Sequence, residues 1–219
     1  MQHQHHRRRG MTRRHVMASA AGLAGLSALP GVALAQEPHP NPMPEEIRKV
    51  LERNPALPVL GNPDGNVTLS EFFDYNCTFC RRNMDAVQRL VTEDQDLRVV
   101  FREWPVFGDG SMFAAKASLA SLRQGKYWQF HAAMMNMGGR AEEASVLREA
   151  RNVGLDIEKL QADMEKREIL DQIYETMDLA DTMRLQGTPT FIAGHEATFG
   201  LQSVADLKRL VATAREDLL

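Results

Sequence analysis

The feature that most constrains this chain is a pair of cysteines, Cys77 and Cys80, at the point where a predicted strand gives way to a helix. The run at 67–73 is rich in residues that favour strands, and it ends in a polar turn that Asp74 and Tyr75 are expected to shape. After Cys77, apolar residues recur at three- and four-residue steps, the pattern of an amphipathic helix. The sequence therefore places the first cysteine at a helix N-terminus.

This placement has chemical consequences for Cys77. A helix N-terminus presents unpaired backbone N–H groups and a partial positive charge, and both stabilise a thiolate. We therefore expect the pKa of Cys77 to be lowered and its sulfur to be nucleophilic near neutral pH. Cys80 lies one turn further into the helix, where it can close a disulfide with Cys77 and is shielded from solvent. Cys77 is thus the predicted attacking cysteine, and Cys80 the resolving one.

Three other roles for the two cysteines compete with redox chemistry. A structural disulfide would close so short a loop that the chain-entropy model gives it only about 2 kcal/mol. A zinc site needs four ligands, and the sequence offers no second cysteine pair and no suitably spaced histidine pair. The third alternative is two free thiols in the core. A Cys-x-x-Cys pair next to βαβ patterning favours the redox interpretation.

Four segments of the sequence resemble the DsbA family of thiol–disulfide oxidoreductases, and they follow one another in the order found in that family. They are Phe-Phe-Asp-Tyr-Asn-Cys-Thr-Phe-Cys-Arg-Arg at 72–82, Leu-Arg-Val-Val-Phe-Arg-Glu-Trp-Pro at 97–105, Gln-Gly-Lys-Tyr-Trp-Gln-Phe-His at 124–131 and Gly-Thr-Pro-Thr-Phe at 187–191. The resemblance implies an α/β protein, a thioredoxin fold with a helical insertion between the two halves of the motif. It also implies enzymatic thiol–disulfide exchange.

The resemblance implies roles for three further residues. Glu71 lies six positions before Cys77, and an acid at that offset in thioredoxin-like proteins lies buried beneath the cysteines and relays protons. The alternative is a solvated glutamate at a strand edge. The bond between Thr188 and Pro189 is expected to be cis and to face the cysteines, so that the Thr188 backbone pairs with an extended substrate segment. The alternative there is an ordinary loop proline.

Thr78 and Phe79 separate the two cysteines and are expected to tune the redox potential. Family oxidases often have a histidine at the second of these positions, and its positive charge stabilises the thiolate. Phe79 supplies no such charge. We therefore expect the pKa of Cys77 to be lowered less, and the disulfide to be less oxidising, than in a histidine-bearing centre. The direction of electron flow stays open.

The N-terminal segment at 1–35 has the features of an export signal peptide. Arginines precede an apolar run of small residues at 16–34, and the Ala-Leu-Ala at 33–35 predicts cleavage before Gln36. Residues 12–17 resemble a twin-arginine motif, with the ordinary secretory route as the alternative. The apolar run is short for a membrane span, which needs about 20 residues; an uncleaved anchor is the other alternative. Export predicts a periplasmic location, where disulfides persist.

The mature chain divides into an extension with a short helix at 36–58 and a DsbA-like domain at 59–219, with the helical insertion at about 108–186. The helix of the extension could dock on the domain or reach a partner subunit. Strands are predicted at 97–103 and 190–193, and a closing helix after a capping box that begins at 203. Three methionines in the insertion, together with His131, could suggest a soft-metal site, but core packing is favoured because methionine fills irregular gaps. They are Met134, Met135 and Met137.

The predicted function is disulfide exchange with cysteine-containing exported proteins, supported by a membrane redox partner. A net charge of −3 argues against nucleic acid as a partner. The resemblance implies no metal or organic cofactor, since the cysteine pair itself carries two electrons. Two alternatives stay open. One is a disulfide isomerase or reductase that a membrane donor keeps reduced and that could be oligomeric. The other is a non-catalytic metal-handling or chaperone module that uses Cys77 and Cys80 as ligands.

Overall fold

The computed structural model describes residues 39–219. The predicted signal peptide and its cleavage before Gln36 lie outside the described residues. In chain order the elements are α1 (Glu45–Arg53), β1 (Val59–Gly61), β2 (Val67–Phe73), α2 (Thr78–Glu93), β3 (Leu97–Glu103), α3 (Asp109–Ser121), α4 (Tyr127–Asn136), α5 (Glu143–Asn152), α6 (Ile157–Met164), α7 (Arg167–Thr182), β4 (Thr190–Ala193), β5 (Glu196–Phe199) and α8 (Val204–Leu218).

The strands of the described chain form one sheet in the order β1-β3-β2-β4-β5. The central pair, β2 and β3, is parallel and joined by the crossover helix α2, while all the other neighbours are antiparallel. All seven residues of β2 are buried, as expected of a central strand covered on both faces. Helices α3 to α7 lie between β3 and β4 in the sequence. This is the predicted α/β arrangement, with helices inserted between two halves of a thioredoxin motif.

Two helices pack on the sheet in the way that their apolar patterns predict. The stripe of α2 that contains Met84, Val87 and Leu90 is buried, so the helix covers the sheet with one face and leaves the other to solvent. The closing helix α8 begins at a capping box: Ser203 Oγ accepts a hydrogen bond from Asp206 N at 3.2 Å, and the Asp206 carboxylate accepts one from Ser203 N at 2.9 Å. The predicted box is confirmed.

The inserted helices enclose an apolar interior that includes two methionines of α4 and Met137, which directly follows that helix. Met134 is fully buried, and Met135 and Met137 are nearly so, in line with core packing. Among the described residues, no group of three or more His, Cys, Asp or Glu side chains could hold a metal ion. Within residues 39–219, none of the helices has both the length and the apolarity that crossing a membrane requires.

Helix α1 is attached to the sheet through Arg102 of β3. The Arg102 side chain is fully buried, donates to the carbonyl oxygens of Val50 and Leu51, and pairs with Glu175 of α7 at 2.9 Å. Carbonyls at a helix C-terminus have no partner inside the helix, so these bonds satisfy groups that burial would otherwise leave unpaired. Of the two positions considered for this helix, the structure shows docking on the domain.

Candidate active site

Cys77 is the N-cap residue of α2, the position at which a side chain caps the first turn of a helix. Its sulfur accepts a hydrogen bond from the backbone N–H of Cys80 at 3.4 Å. Both cysteines are free thiols, and they differ in exposure: Cys77 is 4% exposed and Cys80 is fully buried. The sequence placed the pair at this strand-to-helix junction, and the structure has it there.

The loop before β4 lies directly against Cys77. The Thr188–Pro189 peptide bond is cis, as the resemblance implied. The Cys77 thiol donates to the Thr188 carbonyl oxygen, with 3.2 Å between sulfur and oxygen. The Thr188 hydroxyl is buried and has no hydrogen-bond partner among residues 39–219. The cysteine that caps the helix therefore faces a loop that offers it both an acceptor and a spare donor.

These surroundings shift the pKa values of the two cysteines in opposite directions. The pKa of Cys77 is lowered to about 6, and the largest cause is the Cys80 thiol, which donates a hydrogen bond to the sulfur anion. The Thr188 side chain and the backbone N–H groups of Phe79 and Cys80 lower this pKa further, whereas burial raises it. Burial raises the pKa of Cys80 far above its ordinary value. At neutral pH, Cys77 is therefore the thiolate and Cys80 keeps its proton.

Glu71 lies inside the sheet, near the cysteines. Its register partners are Phe101 on β3 and Phe191 on β4, and it is only 3% exposed. Burial, with a smaller contribution from the negative charge of Cys77, raises the pKa of Glu71 to about 8. The solvated strand-edge alternative is wrong. At neutral pH this carboxyl group is mostly protonated, so it carries a proton that a leaving thiolate could accept.

An apolar cleft of about 600 Å³ opens beside Cys77. Four large apolar side chains on its rim are strongly exposed, between 43% and 54%: Phe79, Val106, Phe107 and Phe199. Thr78 and Thr188 also line the cleft. Exposed apolar groups that are clustered around a reactive sulfur are typical of a surface that binds other chains.

The side chains of the turn before Cys77 make long-range hydrogen bonds that the sequence did not predict. Asp74 and Tyr75 were predicted only to shape it, yet Asp74 is 2% exposed, and its carboxylate accepts hydrogen bonds from the loop after β3 and from α3. Asn76 exchanges two hydrogen bonds with the backbone of Ala141, at 2.7 and 3.0 Å. Together with Tyr75, whose hydroxyl contacts Ser118 of α3, these two side chains attach the cysteine turn to the helical insertion.

Tyr75 reaches a buried polar cluster at the end of β3. Its hydroxyl lies 2.6 Å from Ser118 Oγ and 2.9 Å from His131 Nδ1, and it donates to Glu103 at 3.4 Å. Burial lowers the pKa of His131 to about 3 and raises the pKa of Glu103 well above its ordinary value. Burial therefore leaves His131 uncharged at neutral pH and favours the protonated form of Glu103. The sequence alone predicts no partner for His131; in the structure Tyr75, 56 residues earlier in the chain, hydrogen-bonds to it.

Comparison with known proteins decides the family. A family model described as a DSBA-like thioredoxin domain matches residues 68–212. The chain belongs to this family. A solved thioredoxin-like oxidoreductase from Silicibacter pomeroyi DSS-3 is 50% identical to this DsbA-like chain, with a TM-score of 0.76 over 77% of this chain and 98% of that one. The thiol-disulfide exchange protein alpha-DsbA2 from Wolbachia pipientis is 25% identical, with a TM-score of 0.72 over 77% and 92%. The predicted family and fold are confirmed.

The curated relatives of this DsbA-like chain are much longer proteins. The Na(+)/H(+) antiporter NhaA 3 of Salinispora tropica is 27% identical over 158 residues, which is 71% of this chain and 24% of the antiporter. The chain spans about a quarter of the length of the curated relatives that it matches. The similarity therefore concerns one segment of those proteins.

Proposed function

We propose that this DsbA-like protein is an exported thiol–disulfide oxidoreductase that exchanges disulfides with cysteines of exported proteins. One observation carries the proposal. Cys77 lines an apolar cleft, and its sulfur lies 3.4 Å from the backbone nitrogen of Cys80 and 3.2 Å from the carbonyl oxygen of Thr188. A sulfur anion in this position is stabilised by donors on the protein side and is open to another chain on the cleft side.

In the oxidising direction, a substrate thiolate attacks Cys77 in the disulfide form of the protein. A bond forms between the two sulfurs, the Cys77–Cys80 bond breaks, and Cys80 leaves with the electron pair. Because the pKa of Cys80 is strongly raised, its sulfur takes a proton, and Glu71 is the proposed donor. A second substrate thiolate then attacks the substrate sulfur and releases Cys77 as the stabilised thiolate. The substrate gains a disulfide, and the protein gains two electrons.

Thr188 and Pro189 are the proposed binding residues for the substrate chain. A backbone carbonyl beside the reactive sulfur can pair with an extended segment, as in strand addition. The aromatic rings of Phe79 and Phe199 at the rim offer apolar contacts on either side. Phe79 and Thr78 are also the proposed redox-tuning residues, since they follow the thiolate in the first turn of α2.

The leader at 1–35 supports a periplasmic location, and a membrane protein that accepts the two electrons would return the protein to its disulfide form. Trapping in cells tests the proposal. Cys80→Ala removes the resolving sulfur, so Cys77 should accumulate mixed disulfides with exported proteins. These appear as additional bands on a non-reducing gel and disappear when a reductant is added. Cys77→Ala is the matched control and should trap none. Equal trapping by the two variants, or none by Cys80→Ala, would show that this exchange does not occur.

A further inference from the structure

The loop between β3 and α3 forms one side of the cleft beside Cys77. Val106 and Phe107 in this loop are 43% and 46% exposed, although both are large and apolar. Their side chains contribute to the lining of the cleft. A loop with so little side-chain burial has few contacts of its own to hold it in one conformation. Something other than apolar packing must fix its position.

The carboxylate of Asp74 supplies most of that attachment, beside one exposed hydrogen bond from Arg140 to the Phe107 carbonyl oxygen at 3.2 Å. One oxygen, Oδ2, accepts hydrogen bonds from the backbone N–H groups of Val106 at 2.7 Å and Phe107 at 3.1 Å. The other, Oδ1, accepts from Asn76 N at 2.6 Å and from Ser111 Oγ at 2.8 Å. The bond from Ser111 is buried and the other three are partly buried; hydrogen bonds to a carboxylate are among the stronger ones in proteins.

We propose that Asp74 is a positioning residue that sets the affinity for protein substrates, and that it does so by holding the Val106–Phe107 side of the cleft in place. This rests on the proposed function. A substrate whose cysteine is flanked by apolar residues then meets a preformed surface, and no loop has to be ordered when it binds. The hydrogen bonds of the Asp74 side chain go to the loop, Asn76 and Ser111, and none goes to either sulfur. The backbone of Asp74, which an alanine would retain, accepts from Cys77 N at 3.1 Å and interacts with Cys80.

The proposal separates two classes of substrate. A peptide with two cysteines flanked by leucine and phenylalanine uses the Val106–Phe107 surface, whereas glutathione offers a thiol without apolar neighbours. In Asp74→Ala, the half-saturating peptide concentration for reduction of the disulfide form should rise about tenfold, which corresponds to about 1.4 kcal/mol. The maximal rate, and the rate with reduced glutathione, should stay within about twofold. Ser111→Ala is the matched control: it removes one partner of Asp74 and one of the two acceptors of the Asn76 amide, leaves the loop bonds intact, and should leave both substrates unaffected.

A double-mutant cycle tests whether Asp74 acts through Phe107. If it does, Asp74→Ala should cost clearly less peptide affinity in a Phe107→Ala background than in the unaltered protein, because one of the two side chains that Asp74 positions is already gone. Full additivity would contradict the proposal. Amide hydrogen exchange gives a second test that uses only the unaltered protein. The backbone N–H groups of Val106 and Phe107 should exchange slowly with solvent although the side chains of these residues are exposed. Unprotected exchange would overturn the proposal even if Asp74→Ala does not fold.

The outcomes also separate this inference from the proposed function. If the unaltered protein reacts with neither the peptide nor glutathione, the proposed function is wrong, and this inference falls with it. If the unaltered protein reacts with both, and Asp74→Ala weakens both reactions equally, only the role of Asp74 is wrong. A selective loss with the peptide supports both.

Discussion

Replacing Cys80 with alanine should raise the pKa of Cys77, because the Cys80 thiol makes the largest contribution to lowering it. A hydrogen bond to a charged group contributes about 1.5–3 kcal/mol, and one pKa unit corresponds to about 1.36 kcal/mol. The loss of this donor should therefore raise the pKa of Cys77 from about 6 to about 7–8. The backbone N–H of Cys80, 3.4 Å from the sulfur, remains and keeps the pKa below its ordinary value.

Cys80→Ser is the control for this prediction, because a hydroxyl group at the same place still donates to the sulfur anion. The pKa of Cys77 should then stay near its original value. The assay is the rate at which iodoacetamide alkylates each reduced variant as a function of pH, since only the thiolate reacts. At pH 7 the thiolate fraction should fall from about nine-tenths to about one-half or less in the alanine variant. Equal midpoints for the alanine and serine variants would refute the reasoning.

Three further predictions concern the potential, the proton donor and the attachment of α1. The reduction potential of the unaltered protein, measured against glutathione, should be more negative than about −120 mV. Phe79→His should make this potential less negative by about 30 mV for each unit by which the pKa of Cys77 falls. An unchanged potential in Phe79→His would contradict the tuning role. Because the pKa of Glu71 is about 8, opening of the disulfide should slow as pH rises through that value. Glu71→Gln should lose this pH step and slow the opening about a hundredfold at pH 7, measured by rapid-mixing kinetics; a retained step would contradict the donor role. Arg102→Ala should lower the free energy of unfolding in urea by about 3 kcal/mol, and Glu175→Ala by clearly less, since Arg102 keeps its carbonyl partners there; equal losses would contradict this account.

The sequence predicted the parts of the fold that local patterns determine. Strand β3 has the predicted bounds, Leu97–Glu103, because an apolar run there ends at Trp104-Pro105, and β4 begins directly after Pro189 as predicted. Proline interrupts strand hydrogen bonding, so both boundaries are encoded within a few residues. The cysteine pair, Glu71 and the cis bond were located through motifs, and the structure brings them together. Their catalytic roles stay predictions.

The attachment of the cysteine turn to the inserted helices could not be predicted in this way. Asn76 and Ala141 are 65 residues apart, and Asp74 and Val106 are 32 apart. Polar residues in a turn carry no periodicity, and nothing in the local sequence shows whether a carboxylate faces solvent or four donors. Such contacts follow from the tertiary arrangement alone. The sequence therefore predicts a place for Asp74 in the turn but not its partners.

The same attachment limits what protein engineering can remove from this molecule. Asp74, Tyr75 and Asn76 each find their partners on the inserted block or on the loop that leads into it. Excising helices α3 to α7 to obtain a minimal redox module would remove Ser118 and His131 from Tyr75, Ala141 from Asn76, and Ser111 from Asp74. The turn before Cys77 would then keep only part of its support, chiefly the two loop donors of Asp74. A functional graft of this centre onto another scaffold must therefore carry at least α3, α4 and the segment around Ala141 along with the cysteines.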